Sequence, residues 1–119
     1  MIHQFINNVI AIVMDVNSGS VHVADPAFYR AVQAAEPVVG ELEKATPLSE
    51  EAKEAVRAEL KADYPAEEIE EVIETMQALI DAEELFTTDG YQSFVRDFKA
   101  RKTVVKALCL HIPHGCNLA

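Results

Sequence analysis

Tryptophan is absent from the 119 residues, glycine occurs four times and cysteine only twice. With Cys109 and Cys116 as the only thiols, a disulfide scaffold is excluded, and the reading is a cytoplasmic protein with reduced cysteines. Four glycines and five prolines exclude collagen-like and mucin-like chains, and 50% hydrophobic with 25% charged residues excludes wholesale disorder. No apolar run reaches the ~18 residues needed to cross a bilayer. No basic stretch precedes the first apolar residues, so a signal peptide is not expected. A Gly-rich phosphate loop, a Gly-x-Ser-x-Gly elbow and a His-Glu-x-x-His pair are all missing. What remains is one compact domain with a short extension, burying roughly two-thirds of its unfolded surface.

The net charge of −10 is unevenly placed. Residues 1–35 carry Asp15 and Asp25 against Arg30. Residues 36–90 carry seventeen acids against Lys44, Lys53, Arg57 and Lys61, a net of −13. Residues 91–119 carry Asp97 against Arg96, Lys99, Arg101, Lys102 and Lys106, a net of +4. A −13 segment repels a phosphate backbone and attracts a basic partner, so nucleic acid is not the expected ligand. The plain alternative is a solvated helical surface.

Residues 2–24 are rich in β-branched side chains and turn signals. Strands are expected at about 2–6, 9–15 and 20–24, separated by Asn7-Asn8 and Asn17-Ser18-Gly19-Ser20. The apolar run from Val9 to Val13 suits a strand covered on both faces. Asp25-Pro26 is an N-cap followed by a first-turn proline, opening a helix expected to stop at Ala35, before Pro37. A second helix opens at Thr46-Pro47 or Ser49 and is broken by Asp63-Tyr64-Pro65. Ile69, Val72, Ile73, Met76, Leu79 and Ile80 follow the i, i+3, i+4, i+7 spacing of a third helix, placed at 66–84. Residues 85–90 read as a turn or short wing, 91–102 as amphipathic and 103–112 as a strand.

The expected fold is therefore α+β: a winged-helix-like, three-stranded antiparallel sheet followed by three helices, with a C-terminal extension. The core is expected from Phe5, Ile10, Ile12, Phe28, Val32, Val56, Leu60, Ile69, Val72, Ile73, Met76 and Ile80. Domain boundaries are placed at 1–90 for the folded unit and 91–119 for a linker and strand.

Within residues 1–100 no spacing assembles a nucleophile, a base and an orienting group. His3 and His22 lie on strands, and the carboxylates lie on helix faces. At the C-terminus Cys109, His111, His114 and Cys116 fall within eight residues, a composition that suits zinc. Strand alternation places Cys109 and His111 on one face, and Pro113 redirects the chain beyond it. A small metal-binding or dimerisation domain is thus one alternative. A winged-helix DNA-binding regulator is another, but 66–84 holds eight acids and no Lys or Arg, the wrong sign for a recognition helix.

The run Ala107-Leu108-Cys109-Leu110-His111-Ile112-Pro113-His114-Gly115-Cys116-Asn117-Leu118 resembles the opening of a radical S-adenosylmethionine enzyme barrel. There a first strand leads into Cys-x-x-x-Cys-x-x-Cys, whose thiolates hold a [4Fe–4S] cluster. Only Cys116 of that triplet is present, and the chain stops one residue before the second would fall. Ile2-His3-Gln4-Phe5 and Asp15-Val16-Asn17-Ser18-Gly19-Ser20-Val21-His22-Val23 resemble the start of the maturases that cross-link six-cysteine (SCIFF) ranthipeptides through thioethers. The chain is similar to the peptide-recognition domain (RiPP recognition element) of such a maturase, cut at the first cluster cysteine.

The resemblance implies a non-catalytic fragment that binds the leader of a ribosomally made precursor peptide by β-strand addition. Ser20, Val21, His22, Val23 and Ala24 are the implied strand side. Ile73, Met76, Gln77 and Ile80 are the implied groove, with Glu74, Asp81 and Glu84 beside them. The implied partner is a basic leader peptide, with no nucleic acid and no membrane. Cys116 is a cluster ligand, and S-adenosylmethionine a cofactor, only in an intact enzyme. A strand at 103–112 without barrel neighbours is expected to be disordered, to fold back on the domain, or to pair two copies as a homodimer.

Overall fold

A computed structural model describes residues 1–91 together with Phe94 and Val95. Three strands come first: β1 (Ile2–Asn7), β2 (Ile10–Asp15) and β3 (Ser20–Ala24), followed by α1 (Pro26–Val39), α2 (Glu50–Leu60) and α3 (Ala66–Asp81). The sheet is antiparallel in the order β1-β2-β3, so the expected α+β arrangement is the one found.

Asn7 pairs with Ile10, which leaves Asn8 and Val9 as the two turn residues, with φ of 46° and 69°. Two consecutive positive φ angles match the right-handed twist of a hairpin. The turn therefore sits one residue later than the Asn7-Asn8 expected. It holds a β-branched residue in a conformation that favours glycine.

Registers Gln4↔Val13 and Val13↔His22 put Val13 at the centre of the inner face, fully buried. Ile2, Asp15 and Ala24 share that face and are buried. The opposite parity carries Phe5, Ile12 and Met14, all half-buried, and Ile10, which is 48% exposed. The expectation that β2 is covered on both faces is thus corrected. Among the described residues the helical layer packs on the inner face alone, and Ile10 is no core residue.

α1 begins as the sequence implies: the Asp25 carboxylate accepts from the Phe28 N–H at 2.7 Å, and Pro26 takes the first turn. It does not stop at Ala35 but runs through Pro37 to Val39. Proline deletes one ladder donor, and so near the helix end that cost is small beside the packing of Val39 on the core. Gly40, with φ 65°, then closes the helix by donating to the Glu36 carbonyl.

Ser49 caps α2 by accepting from the Ala52 N–H. α3 ends at Asp81 rather than at Glu84. Glu83 turns to a φ of 57°, its N–H reaching the Ile80 carbonyl and that of Glu84 reaching Leu79, which is a Schellman closure. Arg30 joins α1 to Glu59 and Asp63, and Arg57 joins α2 to Glu70 of α3.

The core forms where α1 packs on the inner sheet face and where α2 and α3 pack on α1 and on each other. Phe28, Val32, Val56, Leu60, Ile69, Ile73, Met76 and Ile80 are buried as expected. Phe5, Ile12 and Val72 are only half-buried. Phe86 and Leu85, from the segment read as a wing, are among the most buried side chains. Hydrogen bonds between Leu42 and the backbone of Phe86 and Thr88 draw that segment in. No helix among the described residues is long and apolar enough to cross a membrane.

Candidate functional site

β3 is an edge strand whose one partner among the described residues is β2. Its five residues divide by parity. Ser20, His22 and Ala24 face inward, whereas Val21 and Val23 face outward at 58% and 79% exposure. A five-residue strand with one unpaired side presents alternate N–H and C=O groups to solvent, which is the chemistry that accepts another strand.

His22 holds this edge against the end of the helical layer. Its Nε2 lies 3.3 Å from the Glu84 carbonyl and 3.9 Å from the Glu84 carboxylate. A second tie lies one turn away, at Asp15, the only buried charged residue of the described chain. The Asp15 carboxylate accepts from the Asn17 N–H at 3.0 Å. It also accepts from the Thr87 N–H at 2.7 Å and the Thr87 hydroxyl at 2.9 Å. Asn17 Nδ2 returns a bond to the Thr87 carbonyl at 2.6 Å. The β2–β3 turn is thereby locked to the segment after α3. A cavity of about 300 Å³ opens beside this lock, lined by Asn17, Ser18, Leu42, Thr87, Thr88 and Tyr91 among others.

Of the α3 residues expected to line a groove, only Ile80 reaches the cavity beside this lock. Ile73, Met76 and Ile80 are 5%, 0% and 1% exposed and belong to the core. Gln77 accepts from the Leu48 N–H at 2.8 Å and donates to the Thr46 carbonyl and to Asp81. It therefore faces the segment before α2. The hollow that Ile73, Glu74, Gln77 and Asp81 do line, about 420 Å³, is completed by Pro47, Lys53, Arg57 and Glu70, with no residue of the sheet. No Cα of β3 comes within 8 Å of one in α3. The structure thus assembles the five β3 residues into one edge but does not bring Ile73, Met76 and Gln77 beside it, whereas Ile80 lines the cavity at the β2–β3 turn together with Asn17 and Ser18. On the other flank of the α3 stripe, Val72 and Leu79 are half-buried.

Two residues of this region escaped sequence reasoning. Asp15 precedes a turn, which signals an Asx-type cap and nothing more. Its partner Thr87 is 72 positions away and has no local signature.

The surface of α2 and α3, away from the β3 edge, is acidic. Ion pairs among the described residues occupy Glu50, Glu54, Glu59, Asp63 and Glu70. Glu67, Glu68, Glu71 and Glu74 have no basic partner among them. Hydrogen bonding from the Arg57 guanidinium holds the Glu70 carboxyl below its ordinary range, and the Met1 ammonium does the same for Glu41. Among the described residues no group of three His, Cys, Asp or Glu side chains is arranged to hold a metal ion. Cys109, His111, His114 and Cys116, the strand at 103–112 and the pairing of copies through it lie outside the described residues. No family model, no curated protein and no solved structure matches the chain.

Proposed function

We infer that this chain binds the leader segment of a ribosomally made precursor peptide by strand addition at β3. In this reading it presents the leader to a radical S-adenosylmethionine maturase that forms thioethers. The observation that carries the reading is that one side of β3 has no partner among the described residues, on a strand pinned by His22 and by the Asp15–Thr87 lock. A strand fixed at its middle and at the turn before it has little conformational entropy left to lose on pairing. The acidic helical layer suits a basic leader, whose encounter it would steer more than its raw affinity.

The chain itself catalyses nothing in this reading. Cys116 supplies one thiolate where the cluster needs three, so this sequence alone does not hold [4Fe–4S], and no chemical step is drawn through it. The protein would act in the cytoplasm, where its thiols stay reduced.

The test is a titration of a fluorescein-labelled synthetic leader from a six-cysteine precursor, at low and high salt. It is repeated for Val21→Pro, His22→Pro and Val23→Pro, with circular dichroism checking the fold of each. Alternate N–H groups of an edge strand point outward, so one parity of proline keeps the sheet and removes the docking donors. Saturable, salt-weakened binding that a folded proline variant abolishes is the expected result. Absence of binding, or binding indifferent to every folded variant, overturns the reading.

A further inference from the structure

The outward face of the sheet is apolar along β2 and β3 and at Phe5 of β1, with Asn7 and His3 as its polar residues. Register places Phe5 opposite Ile12 and Ile12 opposite Val23, with Met14 opposite Val21 and Ile10 completing the patch. None of these positions is charged, and His3, stacked 5.5 Å from the Phe5 ring, is the one titratable residue of that parity. Val16, next after β2 and of the same parity, is 49% exposed, and Val9 in the hairpin turn is 98% exposed. A valine both strained in φ and bare to solvent contributes nothing to the isolated fold.

We propose that this face is the contact surface between two copies of the chain, packed sheet on sheet. Charge placement selects this occupant. The acids of α2 and α3 belong to the helical layer on the other side of the sheet, so a sheet-to-sheet pair keeps the two −13 segments as far apart as the molecule allows. Any pairing through the helical layer would oppose them directly. Three strands at ~4.8 Å spacing and ~3.3 Å rise present a face of roughly 14 by 20 Å. With side-chain relief and the two flanking valines, each copy buries on the order of 500 Å². The pair then reaches about 1,000 Å², the lower bound for a specific interface and short of the ~1,600 Å² standard. The dimer is accordingly a weak one. It uses side chains rather than the β3 backbone edge, and it stands or falls independently of peptide binding.

Sedimentation velocity of the full chain from about 10 to 500 µM reads the association directly. The expected result is a shift from monomer to dimer mass that raised salt leaves intact or strengthens, because screening removes the residual repulsion. Ile12→Lys, at the middle of the face and on its solvent side, is expected to stay folded and monomeric throughout. Met14→Lys serves the same purpose if Ile12→Lys loses its circular dichroism signature. A monomer at every concentration overturns the proposal. So does a dimer that salt dissociates, or one that persists in a folded lysine variant. Leader titration on the same folded variant reports separately on the β3 edge.

Discussion

Replacing Asp15 by alanine tests whether the lock between the β2–β3 turn and the segment after α3 holds the fold together. The carboxylate is fully buried and accepts from the Asn17 and Ser18 N–H groups and twice from Thr87. The turn donors lie beside exposed Ser18 and regain water when the carboxylate is removed. The Thr87 donors are half-buried and do so only in part. Hydrogen bonds to a charged acceptor are worth about 1.5–3 kcal/mol each, so the Thr87 pair accounts for about 3–6 kcal/mol. Relief of carboxylate desolvation returns part of that, leaving a net loss of about 2–4 kcal/mol. This is a large share of the ~5–15 kcal/mol of an ordinary domain. Urea unfolding at constant m-value measures it, and a double-mutant cycle with Thr87→Val isolates the hydroxyl bond, with an expected coupling of about 1–2 kcal/mol. Asp15→Asn keeps an acceptor for the turn but sets an amide N–H against the Thr87 N–H, so it should recover less than half of the loss. A stability change below about 0.5 kcal/mol for Asp15→Ala, or no coupling to Thr87, refutes the lock.

Val9→Gly should stabilise the hairpin by about 1 kcal/mol, because relief of a β-branched residue at positive φ exceeds the added entropy of the unfolded chain; thermal unfolding of dilute protein reads the sign. Met76→Ala should cost about 2–5 kcal/mol as a core cavity, measured by urea unfolding, and a loss under about 1 kcal/mol would put Met76 back on the surface. Glu41, Glu50 and Glu70 are held below their ordinary pKa of 4.5, chiefly by hydrogen bonds from the Met1 ammonium, Lys53 and Arg57. A folded-state pKa below the unfolded one stabilises the fold above the ordinary value, and that contribution is lost as pH falls through the lowered one. The urea midpoint should therefore fall on acidification below 4.5 and fall less steeply in Glu70→Gln, and equal acid limbs for the two proteins would contradict the Arg57–Glu70 assignment.

The existence and order of all six elements were legible in the sequence, because each rests on local physics. Asp25-Pro26 caps a helix wherever it stands, and the spacing from Ile69 to Ile80 commits one stripe of a helix to an interior. The shortness of β3 and its place after two paired strands pointed to an edge. What local physics could not decide was which of two apolar faces is covered. Phe5, Ile12 and Met14 are as hydrophobic as Val13, and only the docking of α1 selects the Val13 parity. Pro37 stays helical because Val39 packs against neighbours distant in sequence. Ile73, Met76 and Ile80 were recognisable as one stripe, yet their burial depends on how α1 and α2 pack, which periodicity does not encode. Local propensity thus determined where the chain is strand or helix. Contacts such as Asp15 with Thr87, between groups that meet only after the chain has folded, decided which faces are interior and which remain free to bind.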